Sequence, residues 1–437
     1  MSRPHVVILG AGFAGMYTAK HLKRLVKKRR IDLTIVNRTN YFLFTPLLHE
    51  VATGSLNPRS VAEPIREVFR NTHAHVVQGD ILEVDTVART VAVEYETRKI
   101  VLNYDYLIVA TGAESNYYGI PGAKEFSLPL KNLSDAVQIR SRIIDAFEEA
   151  VIVSDEAERR KILSFAVVGG GATGVEMAAE LSDFIRGMTR RYFRRALCDR
   201  EKEKTGHCSE EDASLTLIHT GKELLEMFSP RLRKAAEQRL SKSGVILKLG
   251  SMVNAVDVNG LKLSDGSTTS SHTTIWAAGV KAIIPKFAGL EPALSGGRLI
   301  VDQYFHVQGQ TNIFALGDVA AYVDVHEFQK DSKNTKAVPM LAQSAVSEAK
   351  IVSQNIYRTL AAKPLLNFHY HSMGSMVSVG QWFAIGEIFS MHIAGYFTWW
   401  LWRTVYLFKF ASWQKRLRIA LDWTLDIFFP RDITKLT

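Results

Sequence analysis

Residues 165–181 read Phe-Ala-Val-Val-Gly-Gly-Gly-Ala-Thr-Gly-Val-Glu-Met-Ala-Ala-Glu-Leu, an apolar run that breaks at three glycines and restarts with helical spacing. Gly169, Gly171 and Gly174 stand at G-x-G-x-x-G spacing, with the strand before and the helix after that such a turn needs. Glycine permits the tight turn and lets the backbone approach a pyrophosphate. The helix N-terminus then offers unpaired N–H groups and a partial positive charge to that anion. Any turn from strand to helix can imitate one such match. Residues 5–20 repeat the pattern, with Gly10, Gly12 and Gly15 after a strand-like run from His5 to Leu9. Two such turns predict an α/β chain with two Rossmann-like dinucleotide-binding domains. Two dinucleotides in one chain imply a flavin relaying electrons from a nicotinamide.

Length and charge fit that reading. A chain of 437 residues can hold two or three domains with substantial cores. Its net charge of +10 makes an anionic partner plausible: phosphates, nucleic acid or an acidic lipid surface. Only two cysteines occur, Cys198 and Cys208, in no metal-like grouping with histidine. That excludes a disulfide framework and fits a reducing compartment. The apolar N-terminus is the first strand and glycine turn rather than a secretory signal. No run reaches the ~18–20 apolar residues of a spanning helix; the best candidate, 393–402, ends at Arg403.

Residues 1–112 are expected to form the first unit. A basic helix from Lys20 to Arg30 leads to a second strand, 31–37, whose end should carry an acidic residue for the adenosine ribose. The residue there is Asn37, followed by Arg38. Asn37 is either a ribose ligand without the charge of a carboxylate or a plain turn residue. The apolar stretch 41–54, broken by Pro46, is either core or a cover for a flavin ring, with Tyr41, Pro46 and Leu47 as the covering residues. Alternating segments over 75–108 read as a meander that ends at Ala110-Thr111-Gly112, where backbone can pass close to a dinucleotide.

Residues 113–295 are expected to form the second unit. A helix from Leu133 to Ala150 precedes the central glycine turn. Residues 187–212 carry seven basic and six acidic residues, a solvated helical or disordered excursion with no nucleic-acid role. The second strand resumes at Ser214, and its ribose-reading position holds His219. Residues 274–279, ending at Gly279, close this unit as 110–112 close the first. Residues 296–385 return to the first unit. There Gly317-Asp318 follows a strand, so that Asp318 can accept from a ribitol hydroxyl. A Pro-started helix from Val338 to Ala349 presents small residues suited to a flat ring.

The tail, 386–437, holds five of the chain's seven tryptophans. Trp413, Leu417, Leu421, Leu425 and Phe429 recur along one helical face, with Lys415, Arg416 and Arg418 off it. An apolar stripe with a basic flank describes a helix lying in a membrane interface. The alternative is a dimerisation helix, and the two are compatible.

Taken in order, the two glycine turns, Ala-Thr-Gly112, Trp-Ala-Ala-Gly279, Leu-Gly-Asp318, Ala-Gln-Ser-Ala345 and the aromatic-basic tail resemble a type II NADH:quinone oxidoreductase. The resemblance covers nearly the whole chain apart from 187–212. It implies FAD on Gly10, Gly12, Gly15, Gly317 and Asp318, with Asn37, Arg38, Thr111, Gly112 and Ala342 beside it. It implies NADH on Gly169, Gly171 and Gly174, with His219 and Gly279 beside it. It further implies two-electron transfer to a membrane quinone without proton pumping. Glu176 would face the flavin and tune nicotinamide or quinone entry; the alternative is a solvent-facing helix position. The quinone-side motif of the family is Ala-Gln-x-Ala-x-Gln. Ala342, Gln343 and Ala345 match it, while Ser347 replaces the last Gln. Glu176 and Gln343 are the expected catalytic residues, with Gln343, Ala345 and Ser347 at the quinone. The expected setting is a homodimer, peripheral on an anionic membrane surface, at the cytoplasmic face of the cell membrane.

His219 raises the question of coenzyme. A carboxylate at that position accepts from the ribose 2′-OH and repels a 2′-phosphate. Imidazole offers no repulsion and Lys222 adds positive charge, so NADPH is expected to serve better than with Glu at that position, especially at lower pH. NADH can remain preferred, because no Arg is placed to grip the phosphate. Competing classes are weaker. Disulfide and sulfide:quinone reductases need a cysteine pair at the flavin. A soluble flavoprotein reductase of the ferredoxin-reductase kind would not need the tail. A membrane-bound flavin redox sensor would show no steady-state NADH oxidation with a quinone.

Overall fold

The computed structural model describes residues 3–197, 213–322, 338–388, 391–410 and 412–435. Cys198, Cys208 and most of the charged excursion lie outside these. The chain groups into two units. One comprises Met1–Leu43, Ala62–Glu114 and Val280–Ser372; the other comprises Phe44–Val61, Ser115–Gly279 and Met373–Thr437. These bounds differ from those read in the sequence, since 44–61 and 373–385 join the second unit. Aromatic packing accounts for the first segment: the Phe44 ring lies 4.4 Å from that of Phe410 and 6.0 Å from that of Tyr406.

The first unit is built on a parallel sheet ordered Ile313–Ala315, Tyr106–Val109, His5–Leu9, Asp32–Asn37, Ala74–Gln78. Val6, Val7, Ile8 and Leu9 are fully buried, as the unbroken apolar run of a strand covered on both faces requires. The basic helix expected from Lys20 starts earlier, spanning Phe13–Lys27 directly after the glycine turn. The expected meander is only partly one. Asp80–Asp85, Thr90–Tyr95 and Arg98–Asn103 pair antiparallel, but Ala74–Gln78 and Tyr106–Val109 belong to the parallel sheet. Alternation alone does not separate a half-covered hairpin from the short strands on either side. The helix expected to start at Pro339 begins at Ala342 and runs to Leu360, leaving Pro339 in the extended segment before it.

The second unit repeats the plan with the order Ser127–Pro129, Thr273–Trp276, Ser164–Val168, Ser214–Ile218, Val245–Lys248, again parallel. Helix Leu133–Ile152 agrees closely with the expected one; the Asp135 carboxylate accepts from the Lys131 and Asn132 N–H groups at its start. Helix Ala172–Gly187 follows the central turn. A three-stranded antiparallel sheet, Ser375–Ser378, Ala384–Ile388 and Met391–Gly395, leads into helices Tyr396–Lys409 and Trp413–Phe428. The apolar run 393–402 is therefore divided between a strand and a helix. Among the described residues no helix is long and apolar enough to cross a membrane.

Helix Ala172–Gly187 clasps the tail along one face. Glu176, Glu180 and Asp183 follow one another at helical spacing, and each takes a partner from the C-terminal segment. Glu176 accepts from the Ser378 N–H at 3.2 Å, Asp183 from the Gln381 N–H at 2.7 Å, and Glu180 from the Arg431 guanidinium at 2.7 Å. Arg431 also lies 3.3 Å from Asp426. Burial alone would lower the pKa of Arg431, but Glu180, Asp426 and Asp183 reverse this and raise it. Beside this pair the Trp423 indole N–H donates to Glu50 at 2.6 Å, and Arg403 lies over the Trp399 and Trp423 rings at 3.8 and 4.9 Å. Burial pushes the Glu50 carboxyl up to about 7 against the pull of Arg403, with Glu180 and Asp426 adding to the rise.

Arg431→Leu leaves Glu180 and Asp426 buried without their counter-charge, and should cost about 3–5 kcal/mol of stability in urea titrations followed by tryptophan emission. The Glu50 carboxyl gives a pH signature. Its pKa is 4.5 in the unfolded chain and about 7 in the folded one, so its contribution is complete below the first value and lost as pH rises through the second. The stability advantage of wild type over Glu50→Gln should therefore shrink from about pH 5 to about pH 8. A difference that stays flat across that window would show that Glu50 does not titrate there.

Candidate active site

In the first unit four backbone turns converge beyond the ends of the parallel strands. Gly10 has a φ of +98°, and a Cβ placed on it would stand 2.3 Å from the Ala110 carbonyl oxygen. A Cβ on Gly15 would stand 1.9 Å from the Gly10 oxygen, so only glycine lets the helix start so close to the strand. One on Gly12 meets nothing within 4 Å. The three positions divide the labour: one turns the chain, one packs the helix, and one leaves open space where an anion can approach backbone. Gly317 joins the same place, since a Cβ there would lie 3.0 Å from that of Ala14 and 3.7 Å from that of Ala345. The Gly317 N–H donates at 2.6 Å to Glu348, whose carboxyl burial raises to about 7 against the pull of that bond. Nothing in the sequence distinguished Glu348 from the other polar residues of its helix.

Asn37 is placed by what it holds. Its Oδ1 accepts from the Ala11 N–H inside the glycine turn at 2.8 Å, and its amide nitrogen donates to Thr39. It braces the turn, which neither of the sequence readings included. Arg38 is exposed and paired with Asp80 at 2.8 Å. The Thr111 hydroxyl donates to the Ile283 carbonyl at 2.5 Å, and Gly112 adopts a φ of +72°. On helix Ala342–Leu360, Gln343 is half-buried and its amide lies 3.2 Å from the Tyr370 hydroxyl. Ala345 is buried, and the Ser347 hydroxyl turns back to donate to the Gln343 carbonyl at 3.0 Å. Tyr370 escaped notice because it comes from a segment without pattern.

The second unit reproduces the cradle. Gly169 has a φ of +122° and its Cβ position lies 2.3 Å from the Ala277 oxygen; that of Gly174 lies 1.9 Å from the Gly169 oxygen. Gly171 again faces nothing within 4 Å. Gly279, at φ +151°, would bring a Cβ within 2.2 Å of the Tyr118 hydroxyl. His219 sits at the strand end as expected, its ring 2.5 Å from the Cβ position of Gly170. Burial lowers its pKa, with Glu226 opposing. Protonation assisting NADPH at mildly acid pH therefore loses ground.

Glu176 is buried, which removes the solvent-facing alternative. Burial holds its carboxyl well above the usual range against the Ser378 N–H, with Glu50 and Glu180 adding to the rise. His49 Nδ1 lies 3.8 Å from it, and burial drives the imidazole pKa down to about 3. With its pKa that low the imidazole carries no charge, so this is no ion pair.

Both cradles fit the diphosphate of a dinucleotide on the same observation: the second glycine of each opens onto space that a side chain would fill. Comparison with known proteins agrees. Residues 4–349 match the family model described as pyridine nucleotide-disulphide oxidoreductase, and residues 372–432 match the NDH2 C-terminal domain. The chain is 32% identical over 442 residues to the type II NADH:quinone oxidoreductase Ndh of Mycobacterium tuberculosis, covering 98% of this chain and 89% of that protein. It is 30% identical over 465 residues to the mitochondrial internal alternative NAD(P)H-ubiquinone oxidoreductase A1 of Arabidopsis thaliana, covering 99% and 86%. The fold matches that of NDH2 from Plasmodium falciparum in complex with NADH, with a TM-score of 0.87 at 23% identity over 99% of this chain and 100% of that one. The chain belongs to the type II NADH:quinone oxidoreductases, with FAD and NADH as its cofactors and a quinone as its electron acceptor.

Proposed function

We propose that the cradle of the first unit holds FAD, that of the second holds NADH, and that Gln343 serves the quinone. The observation that carries this is the open space before Gly12 and before Gly171, each at the start of a helix whose N–H groups face an anion. Gly10, Gly12 and Gly15 bring backbone to the flavin diphosphate, with Thr111, Gly112, Gly317, Asp318 and Ala342 around it. Asn37 keeps that turn closed and Arg38 lies at its rim. Gly169, Gly171, Gly174 and Gly279 do the same for the coenzyme, with His219 at the ribose. Bound in the first cradle, FAD would supply the two-electron redox chemistry between nicotinamide and quinone.

The protein groups supply position and protons. Burial holds the Glu176 carboxyl well above the usual range and so favours its protonated form, which can donate where an anionic carboxylate could only accept. The Gln343 amide, held by Tyr370, can donate to a quinone carbonyl, and Ala345 leaves a planar headgroup room. Ser347 bonds to its own helix, so the contact expected of a Gln at that position falls to other groups.

The tail supports attachment to a membrane surface. Trp413, Leu417, Leu421, Leu425 and Phe429 are each more than half exposed, while Trp423 on the same helix is buried. Lys415, Arg416 and Arg418 flank the stripe and suit an anionic leaflet, which we assign to the cytoplasmic face. The same face suits a second copy, and we propose a homodimer in which part of it is shared.

Two outcomes are expected. In anaerobic titration NADH should bleach the flavin absorbance of wild type, and added quinone should restore it; Gln343→Leu should slow the restoration several-fold with the bleaching unaltered. Equal rates would move the quinone elsewhere. Replacing Leu417, Leu421 and Leu425 with Gln should abolish cosedimentation with anionic vesicles while NADH oxidation with a soluble acceptor persists. High salt alone should release only part of the wild type, since apolar burial is not screened.

A further inference from the structure

The strand end of the coenzyme unit lacks the carboxylate that selects NADH, yet a carboxylate returns to it from further along the chain. After Gly221 the backbone folds back over the glycine turn. Leu225 adopts a left-handed φ of +54°, an uncommon conformation for a side chain of its size, and its N–H donates to the Gly170 oxygen at 2.9 Å. Leu224 is fully buried, with its side chain 2.7 Å from the Cβ position of Gly170, and its N–H donates to Glu237 at 3.1 Å. The Phe228 N–H donates to the Leu225 oxygen at 2.8 Å, and Arg233 donates to the Phe228 oxygen at 2.6 Å. The kink is thus fastened on both sides, and Glu226 is the residue it projects.

Glu226 points back at the strand end, where His219 stands. A Cβ on Gly221 would lie 2.6 Å from Glu226 Oε1 and 2.7 Å from His219 Nε2. Carboxylate and imidazole crowd the same point, which is why a glycine stands there. The open second glycine of the turn, Gly171, lies next to Gly170, whose Cβ position is against the His219 ring. A diphosphate on the turn would leave the adenosine ribose at this strand end.

We propose that Glu226, standing beside His219, reads the adenosine ribose and selects NADH over NADPH. The carboxylate accepts from the ribose 2′-OH and stands against a 2′-phosphate. This rests on the reading that the Gly169–Gly174 turn holds the coenzyme. It also reverses the expectation drawn from His219 alone: the carboxylate missing from position 219 is supplied seven residues later.

The test is kcat/KM for both coenzymes on purified, flavin-loaded full-length protein. Glu226→Gln should shift the NADPH/NADH ratio towards NADPH by roughly ten- to a hundredfold, the size of one removed like-charge contact. It should do so with a higher KM for NADH and a lower KM for NADPH; Glu226→Asp should restore part of the preference. A merely structural role would lower both coenzymes together, and an unchanged ratio overturns the proposal. Gly171→Val tests the reading beneath it. Loss of NADH oxidation with the flavin retained upholds the turn as the coenzyme site. Retained oxidation removes that reading, and the proposal with it.

Discussion

The absence of two side chains governs this molecule. A Cβ on Gly15 or on Gly174 would fall within 1.9 Å of a carbonyl oxygen in the same turn, far inside contact distance. Helix and strand can meet so closely only because nothing stands there. That closeness aims the helix N-termini at the space before Gly12 and Gly171, where N–H groups and the helix dipole favour a diphosphate. Both cradles follow from the same geometric permission, granted twice along the chain. The supporting residues differ between copies. Asn37 pins the first turn through the Ala11 N–H, while the second is pinned by Leu225 on the Gly170 oxygen.

A second level of organisation is electrostatic. The second unit buries Glu50, Glu176, Glu180 and Arg403 and leaves little of Arg431 exposed, groups rarely found inside a protein unless paired. Pairing accounts for Arg431 with Glu180 and Asp426. Burial answers for Glu50 and Glu176 in another way, by raising their pKa values so that the charge need not be carried. The tail is therefore held by polar contacts on its inner side, and its outer side keeps an apolar stripe free.

Patterns set by local physics were legible in the sequence. The glycine spacing, the unbroken apolar run of Val6 to Leu9 and the four-residue repeat from Trp413 to Leu425 all lie where the chain announces them, while Phe429 falls just past the end of its helix. What was hidden depends on segments that meet only after folding. Glu226 looks like an ordinary loop residue until Leu225 turns left-handed beneath it. Tyr370 and Glu348 take their roles from Gln343 and Gly317, which are remote in sequence or carry no polar side chain. Val76 and Val77 alternate like hairpin residues, yet their partners are Ile35 and Val36 in a parallel sheet. Pro339 looked like a helix start because proline suits that position, but the helix waits until Ala342.

One helix connects what have been separate topics. Helix Ala172–Gly187 begins on the coenzyme turn, and within about four turns its acidic face has taken hold of Ser378, Gln381 and Arg431. Its fraying at one end is the loosening of a clasp at the other. A coenzyme that steadies the first turn adds its binding free energy to the cooperative unit that also retains the tail. By reciprocity, any contact that steadies the tail tightens the grip on coenzyme by the same factor. Coenzyme occupancy and the seating of the tail thus become two readings of one equilibrium, written along sixteen residues.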